Sequence, residues 1–275
     1  MDESWPAVTR AVIMARGLGT RMRRDDAAAQ LDDAQAQAAA QGLKAMIPIG
    51  RPFLDYVLSA LADAGYRDAC LVIGPEHDAV RDYYMKVAPP SRVRVSFAIQ
   101  QEPRGTADAV AAAESFAQGD RVLVLNADNY YPVDGLAALR TLPGSGLLGF
   151  ERDALVRESN IEAERVRAYA LLALHDDGSL AAIIEKPDDA TFARMHDAPV
   201  SMNVWVFTPA IFEACRRVRP SPRGELELAD AVRIAMTELH ERFDVIPIRA
   251  GVLDLSRRAD IAAVKERLAG VEARP

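Results

Sequence analysis

The sequence predicts an α/β protein with a mainly parallel sheet, helices on both faces and a smaller antiparallel patch. Apolar runs of strand length alternate with helical patterns through the first half of the chain, which is the signature of βαβ units. The first such run breaks directly into a Gly-x-Gly turn, and the second half carries a hairpin pattern instead of further alternation.

Taken in order, Ala11–Ala15 reads as a buried strand that ends at Gly17-Leu-Gly19-Thr20-Arg21. Phe53–Ala64 follows as a helix, Cys70–Gly74 as a strand and Asp78–Val87 as a helix. Val93–Gln100 alternates as a strand, Ala107–Phe116 reads as a helix, and Arg121–Asn126 as a buried strand. Ligands of such sheets bind at the carboxyl ends of the strands. The glycine turn, Gln100–Thr106 and Asp128 all follow strand ends, so they are expected on one rim. In the second half, Ala170–His175, the Asp176-Asp-Gly178 turn and Leu180–Glu185 form the hairpin. Val204–Phe207 and Val245–Ile248 read as strands, Ala210–Val218 and Leu226–Arg242 as helices. The last helix is expected from about Arg257 to Leu268, with Ser256 as N-cap and Gly270 just past its end.

Composition narrows the function. The chain has 275 residues, 50% apolar and 27% charged, the profile of an ordinary globule with a full core. A net charge of −7 argues against a nucleic-acid partner, which usually meets a basic footprint. An anionic substrate would instead be drawn by a local cationic cluster. Met1-Asp-Glu-Ser-Trp-Pro6 lacks the basic and apolar regions of a signal peptide, and no apolar run approaches the ~20 residues of a membrane span. Cys70 and Cys215 are isolated, so they read as two buried thiols of a cytoplasmic protein. His77, His175, His196 and His240 are equally isolated and read as structural or exposed.

Between Arg23 and Leu43 lies an alanine- and glutamine-rich segment that opens with Asp25 and Asp26 and ends at Gly42. Its residues favour helix, so 24–42 is expected to be a helical insertion. Leu31 is its only large apolar side chain, so the segment is expected to be mobile or packed on a partner, as a solvated helix or as a lid over the triphosphate.

The glycine turn is the most informative stretch. It lets the backbone approach a ligand and aims several N–H groups into one concavity suited to phosphate oxygens. Arg21 would add a guanidinium fork and Lys44 a point charge. With Gly17-Leu-Gly19-Thr20-Arg21-Met22 and Lys44, the chain resembles the sugar-1-phosphate nucleotidyltransferases, the thymidylyl-, uridylyl- and adenylyltransferases of glucose-1-phosphate. Later landmarks arrive in the family's order: Gly105-Thr106-Ala107-Asp108, Asn126-Ala127-Asp128, Glu185-Lys186-Pro187, Ser201-Met202, Gly224-Glu225 and Asp254. The resemblance therefore spans nearly the whole chain. It implies one nucleotidyltransferase domain over 1–275 with a Rossmann-like mixed sheet of the nucleotide-diphospho-sugar transferase kind. About 1–150 would form the nucleotide-binding half and about 151–275 the sugar-binding half. No hexapeptide-repeat tail is present, so the acyltransferase domain of some relatives is not expected.

The implied reaction converts a sugar-1-phosphate, glucose-1-phosphate by default, and a nucleoside triphosphate to a nucleotide-sugar and pyrophosphate. Two anions must meet, so charge neutralisation and alignment are the main tasks, and no side-chain nucleophile is needed. The resemblance gives Arg21, Lys44 and Lys186 catalytic roles. It assigns nucleotide binding to Ala15, Gly17, Leu18, Gly19, Thr20, Gln100, Gly105 and Thr106, and sugar-phosphate binding to Asn126, Glu185, Lys186, Ser201 and Glu225. Asp128 and Asp254 would hold Mg2+. Asp128 reads otherwise as a turn residue, Asp254 as a cap of the following helix, and Glu225 as a helix cap. Arg16 replaces the family's usual alanine and either reaches the nucleotide or points away, and Asn203 replaces a usual glycine. The base stays open, because Glu102-Pro-Arg-Gly-Thr-Ala107 is also similar to mannose-1-phosphate guanylyltransferases. Neither nucleic acid nor membrane is an expected partner, and a homo-oligomer is left open. The rival reading is a catalytically silent nucleotide-sensing subunit. A dinucleotide-dependent dehydrogenase is disfavoured, because the turn lacks the third Rossmann glycine.

Overall fold

The computed structural model describes residues 6–24, 26 and 29–275. Met1–Trp5 and Asp25, which figure in the leader and insertion readings, lie outside them. The strands are β1 Arg10–Met14, β2 Asp68–Ile73, β3 Arg94–Ile99, β4 Val122–Asn126, β5 Asn129–Tyr130 and β6 Ser145–Phe150. They continue as β7 Leu171–Leu174, β8 Leu180–Ile184, β9 Val200–Phe207, β10 Phe243–Ile248 and β11 Leu253–Asp254. Among the described residues they form a nine-stranded sheet of order β10-β6-β9-β4-β1-β2-β3, with the β7–β8 hairpin joined through β9. β5 and β11 form a separate ladder.

β1 pairs in parallel with both β2 and β4, and β2 with β3. The expected α/β class with a mainly parallel sheet is thus borne out, and helices cover both faces. Ala11, Ile13, Leu123 and Leu125 join one apolar cluster with Phe53, Leu54 and Leu58 of the helix Phe53–Asp63. Val12, Val122 and Val124 join the opposite cluster with Val110, Phe212 and Val232. This two-sided burial explains why β1 and β4 are unbroken apolar runs rather than alternating ones. Each such aliphatic side chain contributes roughly 1.5–3 kcal/mol when fully buried. β1, β2, β3 and β4 therefore end together, and the turns at their carboxyl ends share one rim. The isolated thiols are both buried and unpaired. Burial pushes Cys70 up to about 11 and Cys215 up to about 12. No helix among the described residues is long and apolar enough to cross a membrane.

The second half joins the same sheet through β9, which runs antiparallel to β4 on one side and to β6 on the other. The hairpin is antiparallel as expected, with Leu171 opposite Ile184 and the turn closed by His175 and Ser179. Several expected boundaries move. The helix expected from Leu226 spans Leu228–Glu238, because Leu226 stays extended, donating to the Arg104 carbonyl and accepting from the Ala107 N–H. The helix expected over 107–116 breaks at Ala113 into Thr106–Ala112 and Glu114–Ala117. The last helix begins at Asp260, not at Arg257, and Ser256 does not cap it. Instead the Asp260 carboxylate accepts the Ser256 and Arg257 N–H groups at 3.0 and 2.8 Å.

Within the 24–42 segment the helix Asp33–Gln41 is docked rather than solvated. Asp32 caps it by accepting the Gln35 N–H at 2.8 Å, and the Gln35 side chain accepts the Asp32 N–H in return. Gln35 is buried and its amide donates to the Pro48 carbonyl at 2.9 Å, while Ala39 is buried beside the core. A polar glutamine thus does the anchoring that the scarcity of large apolar residues seemed to forbid. The amides of 36–41 are expected to be protected from hydrogen exchange without any ligand. Gln35→Ala should remove about 1 kcal/mol of local stability and speed their exchange about fivefold. Fast exchange in the wild-type helix would contradict the docking.

Candidate active site

A cleft of about 510 Å³ opens at the shared carboxyl rim of β1, β3 and β4, a volume typical of small-molecule sites. Its wall brings together Ala15, Gly17, Leu18, Gly19, Thr20, Arg21, Lys44, Gln100, Gly105, Thr106, Asn126, Asp128 and Glu225. Arg16, whose direction the sequence left open, also lines it, as do Val80, Pro103 and Ser256, the last expected instead as a helix cap. Glu185, Lys186, Ser201 and Asp254 do not line it.

The loop after β1 is shaped by Gly19, whose φ of 60° is left-handed and whose added Cβ would collide with the Gly42 carbonyl. Gly42 is the left-handed end of the docked helix Asp33–Gln41, so the insertion fixes the loop from outside. Among the described residues, the N–H groups of Gly17, Leu18 and Gly19 have no backbone acceptor, and the three residues line the cleft. Arg21 is exposed and makes no salt bridge among the described residues. It lies close enough to Lys44 to disfavour that ammonium.

Lys44 Nζ donates to Asp128 Oδ2 at 2.6 Å. Burial works against the Lys44 charge, yet Asp128 and then Asp254 more than offset it, so its pKa lies above the ordinary value. Asp254 reaches this neighbourhood through the short β5–β11 ladder, which sets it opposite Asn129, and the Leu255 N–H donates to the Asp128 carbonyl at 2.9 Å. Asp254 does not cap the last helix. Its Oδ1 accepts from Arg165 at 2.8 Å, and the same guanidinium reaches Asp260 at 2.8 Å. Arg165 is partly buried and anchors both carboxylates, and no motif announced it. Asp128 keeps one carboxylate oxygen outside its salt bridge, whereas the second oxygen of Asp254 accepts from the Tyr169 hydroxyl at 3.4 Å. Carboxylates are the hard-oxygen donors a divalent cation takes together with substrate phosphates, and Asp128 offers one from the cleft wall, while Asp254 is turned to Arg165 and Tyr169. No group of three His, Cys, Asp or Glu residues converges among the described residues, so the protein alone would leave its shell incomplete.

Gln100 is buried at the end of β3. Its side-chain amide donates to the Gly105 carbonyl at 3.0 Å and to Asp108 Oδ2 at 2.9 Å. Gly105 has a φ of 128°, and a Cβ there would strike the Leu226 backbone. Arg104–Ala107 is clamped on 226–228 by the Leu226 and Ala107 backbone bonds, and the Thr106 hydroxyl accepts the Leu228 N–H at 2.9 Å. Thr106 thus lines the cleft while holding the start of the helix Leu228–Glu238.

Glu185 and Lys186 are exposed just past the end of β8, and Lys186 has a left-handed φ of 45°. Desolvation, then the like charge of Glu227, raises the Glu185 pKa above its ordinary value. This pair therefore neighbours the 223–227 loop, whose Glu225 enters the cleft. Asn126 donates to Asn129 Oδ1 at 3.2 Å. Ser201 is buried in β9, and its hydroxyl accepts the Asn203 N–H at 3.3 Å, away from the cleft. Asn203 tolerates the left-handed backbone (φ 55°) that a glycine would adopt freely.

Comparison with known proteins follows this geometry. Residues 39–255 match the Nucleotidyl transferase family, the match beginning inside the insertion and taking in Lys44, Asp128 and Asp254. The chain is 26% identical over 261 residues to the UTP--glucose-1-phosphate uridylyltransferase AglF of Haloferax volcanii, covering 94% of this chain and 96% of that protein. It is 28% identical over 237 residues to a glucose-1-phosphate thymidylyltransferase of Streptomyces griseus, covering 82% of this chain and 56% of that longer protein. The fold is similar to that of a UDP-glucose pyrophosphorylase solved with UDP-glucose, with a TM-score of 0.74 and 16% identity over 96% of this chain and 100% of that one. Matched across most of its length, the chain belongs to the nucleotidyl transferase family, in the sugar-1-phosphate group that its motifs implied.

Proposed function

We propose that this enzyme joins a sugar-1-phosphate to a nucleoside triphosphate, releasing a nucleotide-sugar and pyrophosphate. The observation that carries the reading is the convergence of the Gly17–Gly19 loop, Arg21, Lys44 and Asp128 on one cleft. Glucose-1-phosphate is the first acceptor to consider, since the matched uridylyl- and thymidylyltransferases are named for it. The free, buried thiols support a cytoplasmic setting.

In the proposed step, a phosphate oxygen of the sugar-1-phosphate attacks the α-phosphorus in line. A new P–O bond forms as the bond to the β-phosphate bridging oxygen breaks, and pyrophosphate leaves with the electron pair. The loop amides and Arg21 would take the β- and γ-phosphates, Arg21 meeting charge that grows on the leaving group. Lys44 would pass from Asp128 to the α- or β-phosphate. Glu185 would bind sugar hydroxyls and Lys186 the acceptor phosphate, with Asn126 and Glu225 completing the sugar side from the cleft wall and Ser201 supporting it only from within β9. Asp128 and Asp254 would hold Mg2+, which when bound neutralises charge on both reacting phosphates. Retention of Arg21, Lys44, Asp128 and Lys186 together favours turnover over a silent sensor.

The direct test measures pyrophosphate release across a small matrix of triphosphates and sugar phosphates with Mg2+. Release that requires both substrates is expected and should vanish with a chelator, whereas no release with any pair would refute the activity. Asp128→Asn should lower turnover about 100-fold or more, because a neutral amide is a poorer ligand and the Lys44 charge loses its partner. Wild-type turnover in that variant would remove the metal assignment. Lys186→Ala should raise KM for the sugar phosphate about tenfold while calorimetric affinity for the triphosphate stays unchanged. Arg21→Ala should depress kcat instead. Equal losses for both substrates in Lys186→Ala would contradict the division of labour.

A further inference from the structure

Arg16 stands at the end of β1, where a bulky cation is surprising. Its side chain is only 7% exposed and crosses the end of the neighbouring β2 to reach β3. One guanidinium nitrogen donates to the Gln100 main-chain carbonyl. Nε and the other terminal nitrogen each approach the Glu76 carboxylate at 3.3 Å, in the turn that follows β2. A single planar fork therefore ties three adjacent strand ends together, a task the five-donor geometry of arginine suits and a lysine cannot duplicate.

Two further polar groups of Gln100 are engaged. Its N–H donates to the Ile73 carbonyl at 2.9 Å, and its side-chain nitrogen has two acceptors, Gly105 O and Asp108 Oδ2. Both are acceptors only, so the amide cannot flip, and its oxygen is the group left for a ligand. Removing Arg16 would free the Gln100 carbonyl and let the 100–105 segment shift, changing the hydrogen-bonding edge that this end of the cleft presents.

We infer that Arg16 is a positioning residue for base selection, acting by fixing Gln100 from the carboxyl end of β1 with Glu76 as its counter-charge. This rests on the proposed nucleotide site but adds a determinant that the landmark motifs do not contain. The test is calorimetric binding of UTP, dTTP, GTP and ATP to the full chain, repeated for Arg16→Ala, Arg16→Lys, Gln100→Ala and the double variant, each first checked by thermal unfolding. Arg16→Ala should weaken the preferred triphosphate by about tenfold or more, the loss of a charge-assisted hydrogen bond, and the poorest by no more than about twofold. Arg16→Lys, which keeps one donor, should fall between and keeps the test open if the alanine variant misfolds. In the Gln100→Ala background, removing Arg16 should add little, because the two act as one unit. An unchanged ranking, equal loss for every base, or full additivity with Gln100→Ala would overturn the inference. A wild-type protein that binds no triphosphate would overturn the nucleotide site itself and this inference with it.

Discussion

Everything in the cleft depends on the in-register parallel ladder of β1 with β2 and β4. Met14 sits opposite Val72 on one side and Asn126 on the other, so the strands stop at one level. That level is imposed by burial from both faces, with Ile13 and Leu125 in one core and Val12 and Val124 in the other. A one-residue slip would send each set of side chains to the wrong face, so the register is strongly specified. The Arg16–Arg21 loop, Gln100 and Asp128 inherit their shared rim from that register, and contacts such as Arg16 with Gln100 then fix the pose on it.

Charge is organised more tightly than the overall balance of −7 suggests. Lys44 with Asp128, and Arg165 with Asp254 and Asp260, are partly or well buried pairs. Such pairs add little net stability once desolvation is counted, but removing one partner strands the other and is costly. Their effect is to hold two carboxylates in fixed poses while keeping the region near neutrality. A triphosphate entering the proposed site would compete for Lys44 and so uncover the Asp128 carboxylate.

The parallel half was legible because Ala11–Met14 and Val122–Asn126 are apolar on both faces and glycine or asparagine marks their ends. β6 was not, since Ser145-Gly-Leu-Leu-Gly-Phe150 carries two glycines that lower strand propensity. Those glycines are there for space, as a Cβ at Gly146 would strike the Asp244 carbonyl and one at Gly149 would strike Val245. The direction of β9 is a property of the assembled sheet and leaves no local pattern. The two-residue β5–β11 ladder is too short for periodicity, yet it sets Asp254 beside Asp128 and so completes the carboxylate pair. The residues of the cleft were mostly legible through their motifs, whereas their anchors, Arg165, Glu76 and Gln35, were not. An anchor is recognised by what it touches, and Gln35 and Arg165 look like surface residues until their partners are known.

The most direct measurement follows phosphorus label from a triphosphate marked at its α-position and, separately, at its γ-position during a single reaction with sugar-1-phosphate. The account predicts that all of the α-label passes into the nucleotide-sugar and all of the γ-label into pyrophosphate, in equal molar amounts. Label recovered as orthophosphate, or as free nucleoside monophosphate with the sugar phosphate unchanged, would identify a hydrolase and contradict nucleotidyl transfer.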